Sequence, residues 1–312
     1  MKIKKKILII GGTGFIGSNL AEKCIKKNLT VFSLSKSKPK KIRKIKSVKY
    51  LLCNFNNYSN LKKKLIKFKF DYVVNCGGYV EQNKSKKKLY NMHYKGSVNL
   101  YNFFKDKNLK AFIQIGSSSE YGDSDIPNKE ENLCKPNDSY GIYKYKSTKF
   151  LIDKYKKKNF PITVLRFYQL YGPMQDFNRF IPQLIKASIC KKKFSTSKGK
   201  QYRDFLHIND AIKAIFKSIK SAKSKGEIFN IGLGKTIQLK KILALVKKKN
   251  KYLDPVYGKI KIRRGEKMLL FPSIKKAKKF INWSPKISIE KGINLTNQYY
   301  LCLLYTSPSP RD

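Results

Sequence analysis

A chain of 312 residues, 41% of them hydrophobic, can bury a large core as one large or two modest domains. No apolar run reaches membrane-spanning length, six scattered cysteines form no C-x-x-C pair, and two histidines are too few for a structural zinc site, so neither a membrane-spanning helix nor a structural zinc site is expected. The formal net charge of +51, from 70 basic and 19 acidic side chains, raises a nucleic-acid partner, which the detail argues against: the 63 lysines are spread along the whole chain, and only seven residues are the fork-shaped arginine that reads phosphates and bases.

In chain order, the first half alternates strand and helix patterns. Lys6–Ile10 predicts a buried strand and Phe15–Lys27 a helix. Strands follow at Leu29–Leu34 and Lys46–Leu52, a helix at Asn60–Lys69, and a fourth strand at Tyr72–Cys76 that ends in Gly77-Gly78. A long helix is expected over Tyr90–Asp106, a fifth strand at Ala111–Ile115, a helix at Ser139–Lys158 and a sixth strand at Ile162–Phe167. This alternation predicts an α/β fold, a Rossmann-type doubly wound parallel sheet with right-handed crossovers. The pattern loosens after Tyr171-Gly172-Pro173. Residues 1–172 are therefore expected to form a dinucleotide-binding domain, and 173–301 a smaller α/β substrate-binding part interleaved with it. The tail from Cys302 to Asp312, ending Ser307-Pro308-Ser309-Pro310-Arg311-Asp312, has no helical or strand logic and breaks with the Lys/Ile-rich chain. It is expected to be a translated sequencing adapter on a gene truncated near Leu301.

The first strand runs into Gly11-Gly12-Thr13-Gly14-Phe15-Ile16-Gly17. Gly11 permits a tight turn, Gly14 a close approach to a pyrophosphate, and Gly17 close helix–strand packing, while the helix start at Phe15 and Ile16 offers N–H groups and a partial positive charge. The second strand ends at Ser35, with Lys36, Lys38 and Arg43 beyond it and no carboxylate for a ribose diol, which favours NADP(H), with NAD(H) as the alternative. Asn54 and Asn57, after the third strand, read either as adenine contacts or as turn residues, and Gly77 ends the fourth strand in the same region.

The chemical centre is read from two segments. Gly116-Ser117-Ser118-Ser119-Glu120-Tyr121-Gly122 follows the fifth strand, and Ser139-Tyr140-Gly141-Ile142-Tyr143-Lys144 opens the next helix. Tyr140 and Lys144 stand four apart on one helical face, where an ammonium lowers the phenol pKa and makes it a proton donor and acceptor. Ser117 is placed to hydrogen-bond a substrate carbonyl or hydroxyl. The Tyr-x-x-x-Lys spacing occurs five times in this Lys-rich chain, so context selects Tyr140: that pair alone starts a helix just after a Ser-rich strand end, on the carboxyl edge of the sheet.

With those motifs in place, the chain from Ile7 to about Tyr300 resembles the extended short-chain dehydrogenase/reductases, the NAD(P)-dependent epimerases, dehydratases and reductases of nucleotide sugars. The glycine turn has the family's G-x-x-G-x-x-G spacing, Ser117–Gly122 resembles its Ser/Thr segment, and Tyr140/Lys144 its catalytic pair. Arg166–Pro173 is similar to R-x-x-x-x-Y-G-P, Arg179-Phe180-Ile181-Pro182 to its substrate loop, Arg203–Asp210 to R-D-F-x-x-V-x-D, Arg263-Arg264-Gly265-Glu266 to R-P-G-D/E, and Trp283-Ser284-Pro285 to G-W-x-P. The resemblance implies Ser117, Tyr140 and Lys144 as catalytic residues, with Tyr140 and Lys144 also at the cofactor. It implies Ser118 and Arg179 at the substrate, Arg203 and Arg263 on its diphosphate, and a homodimer. Departures are informative. Ser118 and Ser119 occupy the places where the dehydratases carry a carboxylate pair, and Glu120 falls on a usually apolar position, which argues against dehydration. His93 of His93-Tyr94-Lys95-Gly96 reads as a packing residue. Asn75-Cys76-Gly77-Gly78-Tyr79-Val80 and the Ser-rich segment look closest to 4-keto-6-deoxysugar reductases. The expected activity is thus reduction of a nucleoside-diphosphate 4-ketosugar in the cytoplasm, with a nucleotide-sugar 4-epimerase as the near alternative and a Lys-rich nucleic-acid binder on a Rossmann scaffold as the distant one.

Overall fold

A computed structural model of the chain describes residues 4–78, 84–262 and 266–305. Its first strand, β1 (Lys6–Ile10), is the apolar run KILII, and four of its five residues are buried, as a strand covered on both faces must be. After it come β2 (Thr30–Ser35), β3 (Lys49–Leu52), β4 (Tyr72–Asn75), β5 (Ala111–Ser117) and β6 (Ile162–Phe167). The helices between them are α1 (Phe15–Lys26), α2 (Tyr58–Leu65), α3 (Lys86–Leu89), α4 (Gly96–Phe104) and α5 (Ser139–Lys158). A seventh strand, β7 (Ile228–Ile231), pairs with β6 and extends the sheet. The order is β7-β6-β5-β4-β1-β2-β3, all parallel. The doubly wound sheet is therefore as expected, with its switch point between β1 and β4.

Three details differ from the sequence expectation. β7 has only four residues and follows a long excursion of the chain, so no periodicity announced it. The helix expected over Tyr90–Asp106 begins earlier, at α3, and between α3 and α4 it widens into a π-helical turn, Tyr90–Lys95. Such turns bulge one residue out of the helical face and commonly mark sites. The tail, too, is structured at its start: the last helix runs Ile289–Tyr305, so Cys302, Leu303 and Leu304 are helical, and Leu303 packs against a hydrophobic core. Leucines at that spacing simply continue the apolar stripe of the preceding turns. Residues 306–312 lie outside the described residues.

The chain forms two compact units, the first made of Met1–Phe167, Ile212–Ile231 and Ser273–Ser284 and the second of Tyr168–Ala211, Gly232–Pro272 and Pro285–Asp312. Two stretches beyond residue 172 thus belong with the sheet. The first unit packs Leu8, Ile10, Phe32, Leu34, Val73 and Phe112 of the strands against Leu61, Leu65, Leu100 and Phe104 of the helices. The second has its own core around Tyr171, Leu184, Phe205, Leu243 and Tyr300. It holds short strand pairs, among them Phe205–His207 with Gln169–Tyr171 and Asp254–Val256 with Lys193–Ser195.

Close packing of α1 onto β1 depends on Gly17. A Cβ there would stand 2.3 Å from the Gly11 carbonyl oxygen and 2.6 Å from Gly12 Cα, both backbone atoms that cannot swing away. Replacing Gly17 with alanine is expected to destabilise the protein by about 1–3 kcal/mol in urea unfolding, the usual cost of overpacking. An unchanged midpoint would show that the helix shifts freely.

Candidate active site

The turn after β1 is built around two glycines. Gly11 takes φ +72°, a left-handed conformation that favours glycine, and a Cβ on it would lie 2.9 Å from Gly77 Cα, so the ends of β1 and β4 meet backbone to backbone. Gly14 is the N-cap of α1, and no side chain caps the helix. The N–H groups of the first turn, with Phe15 and Ile16, are thus available to an anion. Beyond its own helix and chain neighbours, a Cβ at Gly14 would meet only the Gly11 carbonyl oxygen, at 3.2 Å, among the described residues, so that side of the turn is open as far as they reach. Bare helix start, open Gly14 and close-packed Gly17 together fit a pyrophosphate.

At the end of β2, Ser35 is buried and its Oγ accepts the Thr13 N–H at 3.3 Å, while Lys36 beside it is exposed. Asn57 proves to be the N-cap of α2, accepting the Asn60 N–H at 3.0 Å. It still lines, with Asn54, Asn56, Asn91, Lys95 and Asn99, a cavity of about 420 Å³. Gly77 donates its N–H to Asn75 Oδ1, and Asn75 Nδ2 donates to Gln114 Oε1 on the neighbouring β5, which ties the two strand ends together. A Cβ at Gly77 would also meet the Phe55 ring at 2.8 Å. Tyr79 and Val80 lie outside the described residues.

Ser117 is the last residue of β5 and caps the one-turn 3-10 helix Ser118–Glu120. Its Oγ accepts the Ser119 N–H at 3.2 Å, and Ser118 follows it half-buried. The next helix, α5, starts at the N-cap Asp138, whose carboxylate accepts the Gly141 N–H at 2.8 Å. Gly141 lets α5 sit directly on the serine turn, since a Cβ there would be 2.4 Å from the Ser119 carbonyl oxygen. That contact brings Tyr140 and Lys144 to the end of β5. Lys144 is buried, and its Nζ donates to the Ile115 carbonyl at 2.7 Å and lies 5.9 Å from the Tyr140 ring centroid. Lys149, of the competing Tyr145 pair, is exposed.

Burial pushes the Lys144 pKa down from 10.5 to about 8, against the opposing pull of Glu120 and Cys76. Burial likewise pushes the Cys76 thiol up to about 12. His93, carried on the π turn, sets its ring edge-on to Tyr140, with centroids 5.1 Å apart at 89°. A Cβ at Gly78 would collide with that imidazole at 2.3 Å. His93 is thus a buried neighbour of Tyr140, consistent with the packing role read from the sequence. Sequence reasoning missed two features. One is the Gly141 contact, whose signal was a glycine one residue after Tyr140. The other is the ion pair of Glu120 with Arg166, whose signal was a carboxylate at a usually apolar position.

Of the residues expected at the substrate, Arg179 is the N-cap of the helix Phe180–Ile189, in the second unit. Arg203, also there, pairs with Glu266 Oε1 at 2.8 Å and donates to the Tyr202 and Met268 carbonyls. Next to it, Asp204 accepts the Leu233 and Gly234 N–H groups at 2.7 Å each, and burial raises its pKa to about 7. Arg263 lies outside the described residues.

The model of the NAD dependent epimerase/dehydratase family matches residues 7–232. An uncharacterized UDP-glucose epimerase of Bacillus subtilis is 27% identical over 96% of this chain and 99% of its own length. A putative UDP-glucose 4-epimerase of Methanocaldococcus jannaschii is 24% identical over 92% and 95%. Among solved structures, the UDP-glucose 4-epimerase of Thermotoga maritima with UDP-glucose superposes with a TM-score of 0.89 at 23% identity, covering 96% of this chain and 99% of that one. The UDP-glucuronic acid 4-epimerase of Bacillus cereus, in complex with UDP-glucuronic acid and NAD, gives 0.83 at 24%, over 96% and 99%.

Lys144 also leaves a signature in stability. A lysine with a folded pKa of about 8, below its ordinary 10.5, binds fewer protons folded than unfolded between those values, so its contribution to stability rises with pH across that interval. Wild-type protein should therefore gain stability relative to Lys144→Met as pH rises from 8 to 10.5, measured by urea unfolding. Parallel pH curves for the two proteins would show that the ammonium is not held at a cost.

Proposed function

The chain belongs to the NAD dependent epimerase/dehydratase family, and we propose that within it the protein exchanges hydride at C4 of a nucleoside-diphosphate sugar, chiefly by reducing a 4-keto-6-deoxysugar with NADPH. The observation that carries this reading is Lys144, buried beside the Tyr140 ring and bound to the strand that ends in Ser117. When bound, the nicotinamide cofactor supplies the hydride that the ketone carbon takes up. Tyr140 gives a proton to the ketone oxygen, so the carbonyl becomes a secondary alcohol, and the phenolate formed is stabilised by the Lys144 ammonium. Ser117 polarises the carbonyl by donating its hydroxyl.

Gly11, Gly14, Gly17 and the first turn of α1, including Phe15 and Ile16, hold the pyrophosphate in this reading. Ser35, Lys36 and Asn54 take the adenosine end; Gly77, Tyr140 and Lys144 take the nicotinamide end. Ser118, Arg179, Arg203 and Arg263 belong to the sugar nucleotide, arginine being suited to grip a diphosphate with two hydrogen bonds. NADPH rather than NADH is the reading that Ser35 and exposed Lys36 support, since Lys36 offers a charge for a 2′-phosphate and no carboxylate there would repel it. Dehydration is disfavoured: Ser118 and Ser119 carry no carboxyl, and Glu120 is committed to Arg166. A homodimer is the assembly we assign, by family resemblance.

A second reading, 4-epimerisation, is favoured by the epimerase names of the relatives in Bacillus subtilis and Methanocaldococcus jannaschii. It uses the same three side chains, with Tyr140 first removing and then returning the proton. One assay separates the two. With a nucleotide 4-keto-6-deoxysugar the reductase consumes NADPH stoichiometrically, whereas an epimerase leaves NADPH unconsumed and, given a nucleotide hexose with a C4 hydroxyl in the same assay, interconverts its C4 isomers with no net oxidation.

Tyr140→Phe should lower kcat by about 10²–10⁴ while leaving NADPH affinity within a few-fold, as loss of a general acid does. Retained turnover would remove Tyr140 from its role. Lys36→Ala should raise the Kd for NADPH and leave that for NADH unchanged, measured by fluorescence titration. Equal effects on both would place the adenosine phosphate elsewhere.

A further inference from the structure

Glu120 is a charged residue in the wrong kind of place. It is fully buried, on the turn that follows the serine strand, where an apolar side chain would fill the same space. Its two oxygens are divided: Oε1 accepts the Ser117 N–H at 2.9 Å and Oε2 accepts Arg166 Nε at 2.9 Å. Gly116 makes room for it, because a Cβ there would lie 2.6 Å from Oε1, and Gly116 stands opposite Arg166 in the β5–β6 register. The guanidinium lies against the Tyr121 ring, 4.5 Å from its centroid, and Tyr121 in turn donates to Asn230 on β7. The pair is thus anchored across three neighbouring strands.

Stability alone is a poor reason for such a pair. Taking two charges out of water costs about as much as their attraction returns, and well-packed apolar residues often do as well or better. What the pair does supply is position. Reciprocal bonds, Glu120 to the Ser117 N–H and the Ser117 hydroxyl to the Ser119 N–H, close a capping box on a turn only three residues long. The end of β5 is therefore held on both sides of the Ser117 hydroxyl.

We propose that Glu120 is a positioning residue: through Ser117 N–H and Arg166 it fixes the serine that meets the substrate, and its carboxylate, bound at Ser117 two residues along β5 from the Ile115 carbonyl that holds Lys144 Nζ, sets the electrostatic surroundings of that side chain. The proposal rests on the roles given above to Ser117, Tyr140 and Lys144. Among the described residues, the groups facing Lys144 are Cys76 just after β4, Glu120 from the serine turn and Tyr140 from its own helix, and burial acts on it in the opposite sense to Glu120. Around Glu120 stand Arg166 from β6 and, after it in the chain, Tyr121 and Cys134, both of which feel the Arg166 charge.

Two variants test this, each followed by thermal unfolding, by NADPH affinity against pH and by kcat against pH. Glu120→Gln keeps an acceptor for Ser117 N–H but removes the charge. Glu120→Leu with Arg166→Leu removes the pair without leaving one buried charge alone. The double variant should melt near or above wild type, yet lose about tenfold or more in kcat as the serine turn loosens. In both variants the pH at which NADPH affinity falls, as Lys144 gives up its proton, should move down by about half a pH unit or more. A folded double variant with wild-type kcat and an unmoved affinity midpoint overturns the proposal. If the double variant does not fold, an unmoved midpoint in Glu120→Gln overturns it. If wild-type protein turns over no 4-ketosugar, the functional reading falls by itself, and the NADPH midpoint still decides the part played by Glu120.

Discussion

An ammonium group inside a protein must be held by something, and at Lys144 the holder is the backbone of β5. The Nζ donates to the Ile115 carbonyl, two residues before Ser117, so the bond that satisfies the buried charge also sets the lateral position of α5 on the sheet. Tyr140, one turn earlier on the same helix, goes where Lys144 takes it. The Asp138 cap fixes where the helix starts, and the bare Gly141 lets its first turn rest on the serine turn. The placement of Tyr140 and Lys144 at the end of β5 is thus a consequence of one helix docking in one register.

The same economy governs the cofactor end. In a parallel sheet the carboxyl ends of all strands share one edge, and β1 and β4 part there because their crossovers run to opposite faces. At those two ends Gly11 and Gly77 pack backbone against backbone, with no room for a Cβ on Gly11. Glycine at these strand ends lets the turns approach that closely, while apolar residues fill the strand behind them.

The charge of +51 also becomes intelligible in the fold. Many of the scarce carboxylates have a backbone or a buried partner to serve. Asp138 caps α5, Asp204 accepts the Leu233 and Gly234 N–H groups, and Asp210 accepts the Lys286 and Ile287 N–H groups. Glu130 accepts the Asn230 N–H, and Glu120 neutralises Arg166. These five stand where the fold uses an acceptor, whereas Glu22 and Asp153 pair with lysines at the surface. That surface repels itself and attracts anions in general, an effect screened by salt.

The sequence by itself determined the periodic elements. β1, α5 and β6 are legible to the residue because their apolar spacing and their bounding Gly, Asp and Pro are local signals. It also determined the glycine turn, and position relative to a strand end, itself written in the chain, singled out Tyr140 among five equivalent spacings as the pair expected at the end of β5. Only the tertiary structure decided what depends on partners distant in sequence. β7 owes its place to β6, and the π turn that carries His93 owes its bulge to the packing around it. Asn57 is spent on capping α2, and Arg203 shares its guanidinium with Glu266. Glu120, an anomaly when read along the chain, is explained by Arg166, 46 residues further on. A buried charge cannot be understood from its neighbours in sequence, because its cost and its compensation are set by whatever the fold brings within a few ångströms.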